Sequence, residues 1–170
     1  MNDKSLFEGF FRDNKKHGKG RIILYNGDVM EGSWTTGKLN HARKYTFPNG
    51  DKYEGDWKDD LMHGTGVLET PNGEKFEGTF AHGMKNGQFK YTKLDGSTFR
   101  GEFEDDSIFG DGFFKWADGK SYDGQWKHNK MNGKGKHTWP SGKVYEGNFK
   151  DDKRHGWGSL QETSGKKYEG

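Results

Sequence analysis

The chain has 170 residues, a mean hydropathy of −1.24 and a net charge of +2. So polar a composition is typical of a disordered chain, but the low net charge and the 13 Phe, 7 Tyr and 6 Trp residues favour a fold whose core is built from aromatic rings. The near balance of 28 basic and 26 acidic residues excludes a general attraction to nucleic acid, and the absence of cysteine excludes disulfides and cysteine-based zinc sites.

One repeat organises the chain from Phe7 onward. The pattern aromatic–acid–Gly–x–aromatic returns every 23 residues, and the 28 glycines fall at only five positions of that unit. The units begin at Phe7, Met30, Tyr53, Phe76, Phe99, Tyr122 and Tyr145, with a partial copy at Tyr168. We therefore expect residues 1–6 to be a lead-in and residues 7–170 to form one array without an internal domain boundary.

Each unit is predicted to be two strands, and we number its positions 1 to 23. "KYEGDWK" at 52–58 alternates apolar and polar residues, and "GTGVLET" at 64–70 is the second strand, after a four-residue turn over positions 7 to 10. "PNG" at 71–73 predicts a type I turn followed by Gly in the left-handed region. This register places position 16 opposite 1, position 14 opposite 3 and position 12 opposite 5.

The register separates two faces of the sheet. On the ring face, the aromatic rings at positions 1 and 5 lie over rows of glycine at positions 3, 12 and 14. On the polar face, the acid at position 2 lies opposite Arg or Lys at position 15, as in Glu8 with Arg21, while Lys44, Lys90 and Lys136 take the same position in other repeats. We expect these acids to stabilise the sheet by cross-strand pairing rather than to act in catalysis.

Three repeats depart from the pattern. Repeat two has His41 and Arg43 where glycine is expected, and repeat four has Phe89 in place of its second glycine. Repeat five has Arg100 in place of the usual acid, with Phe113 beside it. Alternation places an excess of rings on the ring face, which are either a partner-binding site or the filling of a strongly curled groove. These residues are Phe89, Tyr91, Phe114, Trp116 and Trp139.

The stretch "YEGDWKDDLMHGTGVLETPNG" resembles a MORN repeat (membrane occupation and recognition nexus), and the resemblance covers residues 7–170. It implies an all-β fold, a single-layer antiparallel meander of consecutive β-hairpins twisted into an elongated half-pipe. It also implies a binding or positioning role, since MORN arrays occur in junctophilins, radial-spoke proteins, plant phosphatidylinositol-phosphate kinases and protist cytoskeletal scaffolds, where any chemistry lies in another domain.

The residues themselves give no sign of an enzyme, a cofactor or a metal site. The phrases "HGKGR" and "NGKGKH" lack the spacing and the Lys-Ser/Thr of a phosphate-binding loop. The seven histidines are spread over the array, mostly at its turns, and we interpret them as turn residues rather than metal ligands.

Two functions fit these observations. The favoured one is a non-catalytic scaffold that binds a helical or extended protein segment, or another copy of itself, along a concave aromatic face in a cytoskeletal, ciliary or membrane-contact assembly. The alternative is a membrane-targeting module for acidic phospholipids or phosphoinositides, part of a larger enzyme such as a lipid kinase. Its candidate contacts are Lys15, Lys16, Lys19, Lys127, Lys130 and Lys134.

The two ends of the sequence bear on location and extent. The N-terminal "MNDKSLFEGF" lacks the apolar core of a signal peptide, so we expect a cytoplasmic protein associated with the cytoskeleton or a membrane, and not a secreted one. The final "KKYEG" opens an eighth repeat, from which we expect that the array belongs to a longer protein.

Overall fold

The structure is a computed structural model that describes residues 5–25, 27 and 29–170, without the side chain of residue 43. It contains two compact units, Met1–Met84 and Lys85–Gly170. The described residues form fifteen strands in an open antiparallel meander, which confirms the predicted fold class.

The first unit holds the first seven of these strands, in which consecutive strands are paired, and the eighth strand starts at Met84. The strands are β1 Leu6–Arg12, β2 Lys15–Ile23, β3 Val29–Thr35, β4 Lys38–Thr46, β5 Lys52–Lys58, β6 Leu61–Glu69, β7 Lys75–Ala81, β8 Met84–Thr92, β9 Thr98–Glu104, β10 Ser107–Lys115, β11 Ser121–Lys127, β12 Lys130–Thr138, β13 Val144–Lys150, β14 Lys153–Gln161 and β15 Lys167–Glu169.

The hairpins that join one repeat to the next have the predicted geometry. In the turn after β6, the Gly73 N–H donates to the Thr70 carbonyl at 2.9 Å, and Gly73 has a φ of 85°. The three-residue turn sets the register of β6 on β7, with Leu68 opposite Phe76 and Gly66 opposite Gly78. A type I turn closed by a left-handed glycine thus brings glycine against glycine between repeats.

The turns within the repeats differ from the prediction. They contain two residues rather than four, and both have positive φ, as in Asp59 at 54° and Asp60 at 67°. Trp57 therefore lies opposite Met62 rather than opposite the glycine at position 12, and the surplus residues of β6 form a bulge before Gly66. Turns with two positive φ values match the right-handed twist of the strands, and Asp is among the few residues that adopt them.

Repeat two accommodates its missing glycines by a shift in register. Instead of Arg43, Ala42 lies opposite both Gly32 and Gly55, and Ala42 is fully buried. Lys44 falls in the irregular stretch that follows and does not take the predicted place opposite an acid. The prediction that His41 and Arg43 enter the glycine rows is wrong for His41, which lies opposite Ser33 and Asp56, and the side chain of Arg43 lies outside the described residues. A small side chain takes the crowded position because a larger one has no room there.

The aromatic core is one layer of rings on glycine backbone. The Tyr53 ring packs edge-on against Trp57 of its own repeat and Phe80 of the next, with ring centroids 5.3 and 5.0 Å apart. It covers Gly66, where an added Cβ would lie 2.5 Å from the ring carbon Cζ. Burial contributes roughly 1.5–3 kcal/mol for each such ring, and an edge-to-face pair adds about 0.5–1.5 kcal/mol.

The same arrangement recurs in the second unit around Tyr122. Its ring centroid lies 5.2 Å from that of Trp126 and 5.0 Å from that of Phe149, and its hydroxyl donates to the Gln125 carbonyl at 3.0 Å. Burial, more than the nearby carboxylates, raises the pKa of Tyr122 to about 12. The polar hydroxyl therefore stays neutral within an apolar layer.

The turns within repeats are tied to each other by a reciprocal pair of hydrogen bonds, which we call the turn clasp. The Asp152 N–H donates to the Met131 carbonyl at 3.1 Å, and the Met131 N–H donates to Asp152 Oδ1 at 2.8 Å. Position 8 of one repeat thus holds position 10 of the repeat before it. The side-chain half recurs at Asp60, Asp106 and Asn129.

Two repeats carry glycine at position 8 and keep only the backbone half of the clasp. The Gly37 N–H donates to Lys16 at 2.9 Å, and the Gly83 N–H donates to Met62 at 3.0 Å. Sequence analysis did not find the clasp, although the Asp and Asn residues at this position signal it.

We expect Gly135→Ala to destabilise the fold, because its Cβ would overlap the Tyr122 ring and hydroxyl. Overpacking of this kind costs about 1–3 kcal/mol in the free energy of unfolding, measured by urea denaturation. The control is Lys134→Ala at the neighbouring exposed position, with an expected change within about 0.5 kcal/mol. Equal stability of the two variants would contradict the ring-on-glycine packing.

Asp152→Gly tests the turn clasp. Glycine is native at the same position in Gly37 and Gly83, so the substitution removes the side-chain acceptor without adding backbone strain. The expected loss is about 1 kcal/mol in the free energy of unfolding. Asp152→Asn keeps an acceptor oxygen, as Asn129 does in the preceding repeat, and should retain most of the stability.

Candidate functional site

A row of rings that contact one another at tilted angles extends beyond the core on the ring face of the second unit. Ring centroids lie 4.6 Å apart for Phe114 and Trp116, 5.5 Å for Trp116 and His137, and 4.1 Å for His137 and Trp139. The Arg154 guanidinium lies 5.1 Å from the Trp139 ring. We call these five residues the tryptophan ladder.

The register of β10 and β12 produces the ladder. Phe114 and His137 both occupy position 16 and lie opposite Tyr122, whereas Trp116 and Trp139 follow two positions later on the same face. Side chains two residues apart on a strand point to one face, so the four rings form one row.

Cations fix the orientation of Trp139. Arg154 lies between its ring and that of Tyr145, 4.7 Å from the latter, and Lys143 Nζ lies 5.9 Å from the Trp139 ring while pairing with Glu162 at 2.6 Å. Cation–π contacts of this kind contribute about 0.5–1 kcal/mol at exposed sites. The indole is therefore presented in a defined orientation.

His137 is the titratable group inside the ladder. Burial is the main cause that lowers its pKa, and the positive charge of Arg154 lowers it further. Its Nδ1 atom is buried without a hydrogen-bond partner. The ladder thus contains an uncharged imidazole at neutral pH.

The predicted partner-binding residues fall into two groups. Phe89, Tyr91 and Phe114 are buried, with exposed fractions of 4%, 9% and 6%, so these three rings fill the core rather than the surface. Trp116 and Trp139 are half-buried and reach solvent. The structure brings these two together through His137, a residue that the sequence analysis did not select.

In the first unit, the lysines proposed for lipid contact point to different places. Lys15 is exposed at the first position of β2, Lys16 lies over the Phe7 ring at 5.1 Å, and Lys19 lines a cavity on the polar face. They do not form one surface.

The lysines in the second unit are also divided. Lys127 and Lys130 lie opposite each other beside a turn, and Lys130 approaches Asp151 at 3.9 Å. Lys134 lines a cavity on the polar face instead.

Open cavities lined by glycine lie on the polar face, and Lys19 and Lys134, two of the lysines proposed for lipid contact, belong to their lining. The first unit has one of about 670 Å³, and the second has two of about 610 and 530 Å³. Glycines line all three, including Gly20, Gly112 and Gly135. The backbone forms the floor of each cavity, because an added Cβ at these glycines would point to the ring face, where it would meet Phe7, Phe99 or Tyr122.

Trp157 is a highly exposed tryptophan, and it was not among the candidate residues selected from the sequence. It lines the cavity of about 530 Å³ and is 72% exposed. Its position 13 lies beside Gly158 on the alternate face, and this alternation is the signal that could have placed it on the polar face.

Comparison with protein families identifies the array. The MORN repeat model matches residues 7–29, 44–52, 53–75, 76–98, 99–121, 122–144 and 145–161. The chain belongs to the MORN-repeat family. The unmatched segment of this MORN chain, residues 30–43, coincides with the repeat in which Ala42 replaces glycine in the packing.

A solved structure shares the fold of the MORN chain at low identity. The TCP domain of Drosophila melanogaster SAS-4 (dCPAP), in complex with a proline-rich motif of Ana2 (dSTIL), is 13% identical, with a TM-score of 0.50 over 89% of this chain and 83% of that one. The TCP10c domain of Drosophila melanogaster Sas-4 is also 13% identical, with a TM-score of 0.49 over 96% of this chain and 98% of that one. No curated protein matches the sequence significantly.

No helix among the described residues is long and apolar enough to cross a membrane. No group of three or more His, Asp or Glu side chains within them is arranged to hold a metal ion.

We expect His137 to make stability depend on pH. Its pKa is lowered in the folded state, so the unfolded chain takes up the proton first, and the free energy of unfolding falls as the pH drops from about 7.5 to about 5. His137→Leu should reduce this slope, measured by urea denaturation at a series of pH values, because leucine does not titrate. The packing should tolerate the change, since Leu68 and Leu160 occupy the same repeat position.

Proposed function

We propose that this MORN chain is a non-catalytic scaffold that binds a protein segment on its ring face, at the tryptophan ladder. The observation that carries the proposal is the pair of half-exposed indoles, Trp116 and Trp139, aligned through His137 at 5.5 and 4.1 Å. Tryptophan and arginine are enriched among the residues that dominate binding energy at interfaces, and Arg154 stacks on the second indole.

The geometry favours an extended segment with apolar or proline side chains. Flat indoles that stand in a row offer stacking surfaces at regular spacing, and proline-rich segments bind to such aromatic surfaces because their backbone is already extended. The likeness to a TCP domain solved with a proline-rich motif agrees with this choice. A helical segment or a second copy of the chain are the other occupants.

The MORN family supports a proposal for the cellular setting. MORN arrays position other proteins, so we propose that this chain works in the cytoplasm, in a cytoskeletal, ciliary or membrane-contact assembly. The phospholipid alternative has weaker support, because its candidate lysines are divided between the turns, the ring face and the polar face.

The test is a selection of random twelve-residue peptides, displayed on phage, against the intact chain. We expect enriched peptides to contain proline or aromatic residues and to lose at least about tenfold in affinity when Trp116 and Trp139 are both replaced by Ala. Far-UV circular dichroism should be unchanged, because both indoles lie outside the buried core.

Trp157→Ala is the matched control, since it removes an exposed indole from the polar face. It should leave affinity for these peptides unchanged. Equal binding by the wild type and the double variant would exclude the ladder as the site. Binding to phosphatidylserine vesicles at low salt, without any enriched peptide, would favour the phospholipid alternative.

A further inference from the structure

A continuous row of side chains crosses the polar face of the second unit. Each residue lies directly opposite the next on the neighbouring strand, from β8 to β15. The row is Lys90, Arg100, Phe113, Asp123, Lys136, Glu146, Ser159 and Glu169.

Arg100 breaks the charge pattern of this row. It occupies the position that carries an acid in the other repeats, yet its opposite neighbours are Lys90 and Phe113. By contrast, Lys136 lies between Asp123 and Glu146. Like charges directly opposite each other do not supply the cross-strand attraction that the acid provides in the other repeats. A residue that violates the local rule is typical of a binding site.

Arg100 and Phe113 line the same cavity of about 610 Å³. Its floor includes Gly101 and Gly112, and the Phe113 ring is 41% exposed. The cavity therefore combines a guanidinium with an exposed apolar ring.

Three carboxylates also line this cavity and restrict what it accepts. Glu102 accepts a hydrogen bond from Gln88 at 3.0 Å, Asp123 lies opposite Lys136, and Asp111 lies opposite Gln125. They would repel a ligand with many negative charges. The positive charge in the lining comes from Lys90 and Arg100, which lie opposite each other, so a single carboxylate is the acidic group that this pair suits.

We propose that this cavity binds an extended peptide segment with a single acidic side chain, whose carboxylate pairs with Arg100 while a neighbouring apolar side chain packs on Phe113. Arginine suits this role because its planar guanidinium donates two parallel hydrogen bonds to a carboxylate. The inference rests on the proposed function, that the chain binds a protein segment, and it adds a second contact surface on the opposite face.

The experiment uses random twelve-residue peptides displayed on phage and the intact chain carrying Trp116→Ala and Trp139→Ala, so that the ring face is silent. We expect enrichment of peptides that have one Asp or Glu next to apolar residues. Affinity of these peptides should fall at least about tenfold in Arg100→Gln. Lys136→Gln removes an equal charge from the same row and should change affinity less than about threefold, because Lys136 already faces two acids.

Arg100→Glu separates binding from folding. It restores the acid of the repeat opposite Lys90, so the melting temperature should rise while peptide binding is lost. Lack of acidic enrichment, or equal affinity of the wild type and Arg100→Gln, would overturn the inference and leave the ladder proposal standing. Selection of polyacidic peptides, or binding to phosphatidylserine vesicles that depends on Arg100, would overturn it as well.

Discussion

The packing of one aromatic ring on a pair of glycines is the constraint on which the rest of this structure depends. A single-layer sheet has no second layer to cover its apolar face, so the rings must cover it themselves by lying flat on the backbone. The Tyr53 ring can do this only because the backbone at Gly55 and Gly66 carries no Cβ. The regular spacing of glycine in the sequence is therefore a record of where rings lie, and the pairing of strands follows from it.

Much of the fold could be predicted from the sequence because the repeat is exact in length. Strand β5, the turn at Pro71 and the register of Gly66 on Gly78 follow from alternation and turn chemistry. The length of the turns within repeats was harder to predict from the sequence. A bulge that occurs in every repeat does not change the spacing between repeats, so the spacing does not reveal it. The place of Ala42 depends on a choice between registers, which side-chain volume decides only in three dimensions.

The candidate sites show the same limit. Alternation correctly separates the two faces, but it does not distinguish a ring that is covered, such as Phe89, from one that reaches solvent, such as Trp139. Coverage depends on neighbours in other repeats. The polar-face cavities depend on which side chains of neighbouring strands surround the backbone, as Arg100 and Phe113 do, and that arrangement requires the three-dimensional register. The two faces consequently offer different chemistry. One presents two indoles on either side of His137, and the other presents a guanidinium beside the exposed Phe113 ring.

The turn clasp has a mechanical consequence. Each clasp links a repeat only to the one before it, so resistance to separation is distributed along the array in units rather than held in one core. Where glycine replaces the Asp or Asn, at Gly37 and Gly83, one of the two hydrogen bonds is missing. Tension applied across neighbouring repeats would separate the clasps at Gly37 and Gly83 at lower force than the others. The positions of these two glycines therefore determine where the array is mechanically weakest.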